Sequence, residues 1–290
     1  MTYTGWILLT ASLVGISCGI VGVLLILRRM AMMADAISHT VLLGIVTAYL
    51  LTQSLNGIHM VIGAAITGVL TAYFVQWLNT RGVQQDAAIG VVFTTLFALG
   101  VILIATKVGN VHLDVKHALM GEITFIPWDT IDVPIIGDVP IATLTLTFVL
   151  FLVLFVIVLF YKEWKITTFD PALAASIGIP VVVMHYLYMT VLSITTVAAF
   201  DAVGAIMVVA MLITPAAAAY LWTDRLFVMF VLSAIFGVFS AIGGYYFAVL
   251  IDTSISGSMA FATGVVFLIS ILFSPRHGLL SYWIRPIATK

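Results

Sequence analysis

The chain has 290 residues, of which 63% are hydrophobic and only 8% are charged. In a soluble domain about a quarter of the residues are charged, so this composition excludes a soluble globular protein. A single cysteine excludes an internal disulfide, and a net charge of −1 provides no basic surface for nucleic acid. The composition therefore predicts an integral membrane protein embedded in a lipid bilayer.

Runs of about 20 apolar residues between charged and turn residues predict the membrane spans. Nine such runs are present, which predicts an all-α polytopic membrane protein with residues 1–290 as one transmembrane domain. They cover residues 6–27, 32–52, 58–78, 87–106, 139–161, 180–199, 203–222, 226–250 and 257–274. Only residues 200–202 separate the sixth and seventh runs, so a count of eight spans is the alternative.

The positive charges are distributed unequally between the two sides of the membrane. Nine of the 11 Lys and Arg residues follow odd-numbered spans, and only Lys107 and Lys116 lie on the other side. Because Lys and Arg gather in cytoplasmic loops, we expect the N-terminus outside and the C-terminus in the cytoplasm. Residues 107–138 then form an external acidic loop. The first positive charges follow the first apolar run, which is the reverse of a cleavable signal peptide.

The cytoplasmic segment 162–179 contains the pattern of a short capped helix. Asp170 is a suitable N-cap, Pro171 suits the first helical position, and Gly178 ends the run. A helix of roughly two turns is not stable alone, so it must be held by the protein body or contacted by a partner. A plain interfacial connector is the alternative interpretation.

Ionisable side chains within the spans are costly and are candidate functional residues. Asp35 and His39 are four residues apart and share one helix face. They are able to coordinate a divalent cation, to relay protons or to pair with each other between helices. Asp201, between the sixth and seventh spans, is expected either to cap the seventh span or to line a pathway at its outer mouth.

Motifs for catalysis are missing from the sequence. It contains no P-loop, CxxC, HExxH, GxSxG or Gly-rich dinucleotide loop, so we do not expect an enzyme. A transporter is favoured. One alternative is a stand-alone secondary carrier in which Asp35, His39 and Asp201 relay protons or cations. Such carriers often show an internal repeat, which we do not find here, and a carrier gives no reason for the capped cytoplasmic helix.

Five segments resemble a known family, the membrane-spanning permease subunit of bacterial ABC importers for manganese, zinc or iron. They occur in the family's order along nearly the whole chain. The segments are LRRMAMMADAISHTVLLGIV (27–46), DAAIGVVFTTLFALGVIL (86–103), HALMGEI (117–123), FDPALAASIGIP (169–180) and VAAFDAVGAIMVVAMLITPAAAA (197–219). The resemblance implies the helical bundle of a type II importer permease in the bacterial plasma membrane, paired with a second permease copy or a paralogue.

The resemblance also implies partners and site residues. The helix at 171–177 resembles the coupling helix, which docks on a cytoplasmic ATP-binding subunit that hydrolyses ATP. The implied coupling residues are Asp170, Pro171, Ala172, Ala175 and Gly178. Asp35 and His39 match the family's DxxxH, and Asp201 matches its acidic position before a helix of small residues. An extracellular metal-binding lipoprotein would deliver the ion to the acidic loop.

The residues of the external acidic loop and the types of metal ligand indicate which ion is transported. Within the loop, Asp114, His117 and Glu122 are candidate entry residues, although the family usually has a small or amide residue in place of Glu122. One Asp and one His form a ligand set that suits a weak transport site. Pairing of two copies would double the number of ligands. No tightly bound cofactor is expected. Abundant carboxylates without a His-rich tract favour manganese over zinc or iron as the transported ion.

Overall fold

The computed structural model describes residues 2–53, 57–107, 123–133, 137–275 and 278. Within these ranges, nine helices are long and apolar enough to span a membrane. They are α1 Tyr3–Leu27, α2 Met32–Thr52, α3 Gly57–Thr80, α4 Gln85–Lys107, α5 Ile141–Leu159, α8 Val181–Val203, α9 Ala205–Trp222, α10 Leu226–Ile251 and α11 Ile255–Phe273. Each overlaps one predicted span, so the nine-span prediction is confirmed. The sixth and seventh spans are separate helices joined by Gly204 alone.

Five shorter elements lie between the spans in the described residues. A 3-10 helix, Ile123–Trp128, precedes an antiparallel hairpin of β1 Thr130–Val133 and β2 Gly137–Pro140. The hairpin was not predicted, and it moves the start of the fifth span from residue 139 to Ile141. Two short helices, α6 Tyr161–Phe169 and α7 Pro171–Ser176, follow that span. The predicted entry residues Asp114, His117 and Glu122 lie outside the described residues.

Helix α1 is the centre of the bundle and packs against α5, α8, α9 and α10. Small residues allow these close approaches. Gly15 lies against the backbone of Gly237, Gly19 against Ser233 of the same helix α10, and Gly22 against the Leu212 carbonyl of α9. Ser233 Oγ also donates to the Gly19 carbonyl at 2.7 Å. Close backbone contact and interhelical hydrogen bonds hold membrane helices together where the hydrophobic effect between them is weak.

Two contacts show which helix ends share a side of the membrane. The Tyr3 hydroxyl, at the start of α1, donates to the Thr124 carbonyl in the 3-10 helix at 2.5 Å. At the other end of α1, Arg28 donates to Thr167 and Thr168 of α6. The N-terminus therefore lies on the side of the 3-10 helix and the hairpin, and α6 lies on the opposite side.

Adjacent glycines in α10 give a matched test of this packing. A Cβ on Gly244 would overlap the backbone of Met259, whereas a Cβ on Gly243 would meet nothing within 4 Å. We expect Gly244→Ala to lower the free energy of unfolding by about 1–3 kcal/mol through overpacking. Gly243→Ala should be neutral or stabilising, since Ala favours a helix by about 1 kcal/mol over Gly. Thermal unfolding in detergent checks both variants, and equal unfolding temperatures would contradict the packing.

Candidate functional site

Asp35 and His39 lie on one face of α2, near the end that follows Arg28. Asp35 is in the first helical turn, where a carboxylate interacts favourably with the helix dipole. The i, i+4 spacing brings His39 Nε2 to 3.4 Å from Asp35 Oδ1. His39 and Asp35 keep 31% and 42% of their side-chain surface exposed, so both reach the surface of the single chain.

Two phenylalanines of α4 position the His39 ring. Its centroid lies 5.4 Å from that of Phe93 at an angle of 36°, and 5.7 Å from that of Phe97 at 71°. His39 Nδ1 is buried and has no hydrogen-bond partner among the described residues. Histidines that bind a metal usually donate their second ring N–H to a fixed acceptor. Here aromatic packing orients the ring, and this contact was not predicted from the sequence.

Among the described residues, no further ligand completes a metal cage around the pair. In the part of the chain that the structure describes, no three His, Cys, Asp or Glu residues are close enough to hold a metal ion together. Structural zinc sites use four protein ligands, so two ligands leave most of a coordination sphere to water or to another subunit. The geometry suits brief occupancy better than permanent binding.

Asp201 lies far from this pair, in the last turn of α8. Helix α8 begins beside the end of α1, where Tyr188 contacts Arg28, so its last turn is on the opposite side of the membrane from Asp35. The alternative that Asp201 caps the next helix is wrong. Gly204 occupies the N-cap of α9, no side-chain hydrogen bond caps that helix, and the positive φ of Gly204 favours glycine there.

Helix α7 has the predicted caps. Asp170 Oδ1 accepts a hydrogen bond from the Leu173 N–H at 2.9 Å, and Pro171 occupies the first turn. At the other end, Gly178 has a φ of 86°, and its N–H donates to the Ala175 carbonyl at 3.2 Å. Ala174 is buried, whereas the remaining side chains of this helix, Pro171, Ala172, Leu173, Ala175 and Ser176, are exposed. This end of the protein therefore presents a short, capped and mostly apolar surface.

The preceding helix α6 holds α7 in place. Trp164 is 2% exposed, and its Nε1 donates to the Met184 carbonyl of α8 at 3.3 Å. The body of the same chain therefore anchors the segment formed by α6 and α7.

Comparison with known proteins places the chain in a family. The model of the ABC 3 transport family matches residues 1–274. The chain belongs to the ABC 3 transport family. This membership confirms the resemblance found in the sequence.

Individual members of the ABC 3 transport family align over nearly the full chain. The manganese transport system membrane protein MntD of Bacillus subtilis (strain 168) is 56% identical over 287 residues, covering 99% of this chain and 97% of the relative. The zinc transport system membrane protein TroD of Treponema pallidum (strain Nichols) is 44% identical over 275 residues, covering 94% and 75%. Among solved structures, PsaBC from Streptococcus pneumoniae in complex with Fab superposes with a TM-score of 0.81 at 33% identity, covering 98% of this chain and 96% of that chain.

Proposed function

We propose that the chain is the membrane-spanning permease of an ATP-driven importer of divalent transition-metal ions, with manganese as the main substrate and zinc or iron as the next candidates. The observation that carries the proposal is the accessible Asp35–His39 pair, whose Oδ1 and Nε2 atoms lie 3.4 Å apart on a membrane helix. Relatives with 56% and 44% identity are named for manganese and zinc transport. A carboxylate suits manganese, and an imidazole also suits zinc and iron.

The incomplete ligand set suggests how an ion is bound and released. A second permease, either another copy or a paralogue, would bring a second Asp–His pair and raise the number of protein ligands from two to four. A site shared between subunits loses ligands as soon as the subunits move apart. Conduction requires binding that is favourable enough for entry and weak enough for exit, and such a site meets both conditions.

The proposed partners lie on opposite sides of the membrane. Helix α7 would dock on a cytoplasmic ATP-binding subunit, which hydrolyses ATP, with Asp170, Pro171 and Gly178 fixing the docking helix and Ala172 and Ala175 in its surface. An extracellular lipoprotein would deliver the ion on the side of Asp201, near the loop that holds Asp114, His117 and Glu122. The proposed orientation places the N-terminus outside and the C-terminus in the cytoplasm of a bacterial cell, because nine of the 11 Lys and Arg residues follow odd-numbered spans.

Reconstitution distinguishes this proposal from a stand-alone carrier. Proteoliposomes containing the permease alone, or the permease with its ATP-binding subunit, are loaded with ATP on the cytoplasmic side and supplied with the metal-binding lipoprotein outside. Uptake of Mn²⁺, Zn²⁺ and Fe²⁺ is measured separately. We expect uptake only when both the subunit and ATP are present. Uptake by the permease alone that follows an imposed proton gradient would instead establish the secondary carrier. Uptake of each ion at trace concentration is also measured in cells that lack this protein. The ion whose uptake falls most is the physiological substrate.

Asp201 should affect capture of the ion more than its passage. Asp201 is exposed in the last turn of α8, and a carboxylate at the outer mouth raises the local concentration of cations. We expect Asp201→Asn to raise the KM for Mn²⁺ by about twofold to fivefold with an unchanged maximal rate. Asp252→Asn is the matched control, because Asp252 is exposed at the same side, after α10. A fall in maximal rate without a change in KM would contradict a capture role for Asp201.

A further inference from the structure

The cytoplasmic end of α1 is tied to α6 by one side chain. Arg28 Nε donates to the Thr168 hydroxyl at 3.1 Å, and its Nη2 donates to the Thr167 hydroxyl at 3.3 Å. A guanidinium forms such forked bonds because its N–H groups are planar and fixed, whereas a lysine ammonium is a point charge on a flexible stem. Neighbouring hydroxyls on α6 thus hold Arg28 in one orientation.

Helix α8 forms the other side of this connection. The guanidinium carbon of Arg28 lies 5.0 Å from the centroid of the Tyr188 ring, and the buried Tyr188 hydroxyl donates to the Val21 carbonyl of α1 at 3.1 Å. The Trp164 ring of α6 meets the Tyr188 ring edge to face at 6.1 Å. These contacts join α1, α6 and α8. We call Arg28, Trp164, Thr167, Thr168 and Tyr188 the Arg28 clamp.

The clamp lies between α7, the proposed docking helix, and α2, the helix that carries Asp35 and His39. Thr168 is two residues before Asp170, the N-cap of the exposed helix α7. Arg28 is four residues before the start of α2, and Asp35 is in the first turn of that helix. Backbone hydrogen bonds from Met30 to Leu25 and from Met33 to Met30 continue the connection from α1 into α2 without a flexible loop. A displacement of α7 is therefore carried through α6 and Arg28 to the helix that carries Asp35 and His39.

We propose that Arg28 is a positioning residue that transmits movement of the docking helix to the metal-binding helix. This assignment rests on the proposed function, since it needs both an ATP-binding subunit at α7 and an ion at Asp35. Without the forked bond, ATP hydrolysis continues while fewer ions pass for each ATP consumed. A residue that only stabilised the fold would lower hydrolysis and uptake together.

The test compares two neighbouring arginines under the same substitution. Arg28→Lys and Arg29→Lys are each reconstituted with the ATP-binding subunit, and ATP hydrolysis and Mn²⁺ uptake are measured in the same proteoliposomes. We expect Arg28→Lys to keep hydrolysis within about twofold of the wild-type rate while uptake falls about fivefold to tenfold. Arg29 is exposed and is not part of the clamp, so Arg29→Lys should retain the wild-type ratio of ATP to Mn²⁺.

The acceptor hydroxyls provide a second, independent variant. Thr167→Val combined with Thr168→Val removes the acceptors with little change in shape, and it should raise the ATP-to-Mn²⁺ ratio as Arg28→Lys does. Adding Arg28→Lys to this pair should cause no further increase, because all three changes break the same contact. A wild-type ratio in Arg28→Lys, or parallel loss of hydrolysis and uptake, would overturn the assignment. Absence of ATP-dependent uptake by the wild-type complex would refute the proposed function itself, and the clamp's role with it.

Discussion

Replacing Asp35 by Asn is expected to reduce metal uptake by at least one order of magnitude, and His39→Gln should do the same. Each substitution keeps the approximate shape of the side chain but removes the charge or the imidazole that would bind the ion. Loss of a residue that merely supports a metal ligand costs about 10–100-fold in affinity or activity, so loss of a ligand should cost at least as much. Uptake of Mn²⁺ in proteoliposomes, normalised to the amount of folded protein, measures the effect.

Asp86→Asn is the matched control for this prediction. Asp86 is also a carboxylate in the first turn of a membrane helix, α4, but it is exposed and is not paired with His39. It should retain nearly full uptake. Full uptake by Asp35→Asn would exclude Asp35 as a ligand.

A double substitution separates the metal-binding role from simple pairing of the two side chains. Replacing both partners of a polar pair by apolar groups of similar shape is often nearly neutral for stability. Asp35→Leu combined with His39→Leu should therefore accumulate as a folded protein that does not transport. Transport by this variant would mean that the pair only bridges helices.

The second large effect is expected at the docking helix. Leu173 and Ile177 are 51% and 56% exposed, and a partner docked on α7 would cover them. Introducing a carboxylate by Leu173→Asp should weaken binding of the ATP-binding subunit by at least about tenfold, because burying an unpaired charge in an apolar contact costs more than the roughly 1.4 kcal/mol to which a tenfold change corresponds. Both ATP-dependent uptake and recovery of the subunit with the purified permease should fall.

Leu173→Met is the control, since it preserves an apolar side chain of similar size. Crosslinking gives a direct measurement of proximity. Cys18 is the single cysteine of the chain and is buried in α1, so Ala172→Cys or Ala175→Cys supplies one accessible thiol. Either variant should crosslink to a cysteine on the ATP-binding subunit. Intact transport without crosslinking, or normal binding by Leu173→Asp, would contradict docking at α7.

The spans and the α7 caps were predictable because they depend on local sequence. A membrane span needs only length and apolar composition, and a capped helix is specified by neighbouring residues such as Asp170, Pro171 and Gly178. The pairing of Asp35 with His39 follows in the same way from the helical repeat. These features require no knowledge of how distant segments meet.

Features that depend on distant contacts were missed. Helix α6 has no clear apolar period, and it is held by contacts with Arg28 and Met184, which are distant in sequence. Phe93 and Phe97 belong to a uniformly apolar helix, in which the residues facing His39 resemble those facing lipid. Asp201 was open to a capping role because the sequence does not show that α8 continues through it to Val203.

The single-residue junction between α8 and α9 has a mechanical consequence. Helix–helix connections usually contain about two to eight residues, which absorb small rotations of one helix relative to the next. Gly204 alone cannot absorb such a rotation. A tilt of α8 that starts at Tyr188 therefore also displaces Asp201 at the other end of the same helix. Because the junction is so short, α9 moves as well. Inserting a few flexible residues at the junction would leave each helix intact, but a movement of α8 would no longer be passed on to α9.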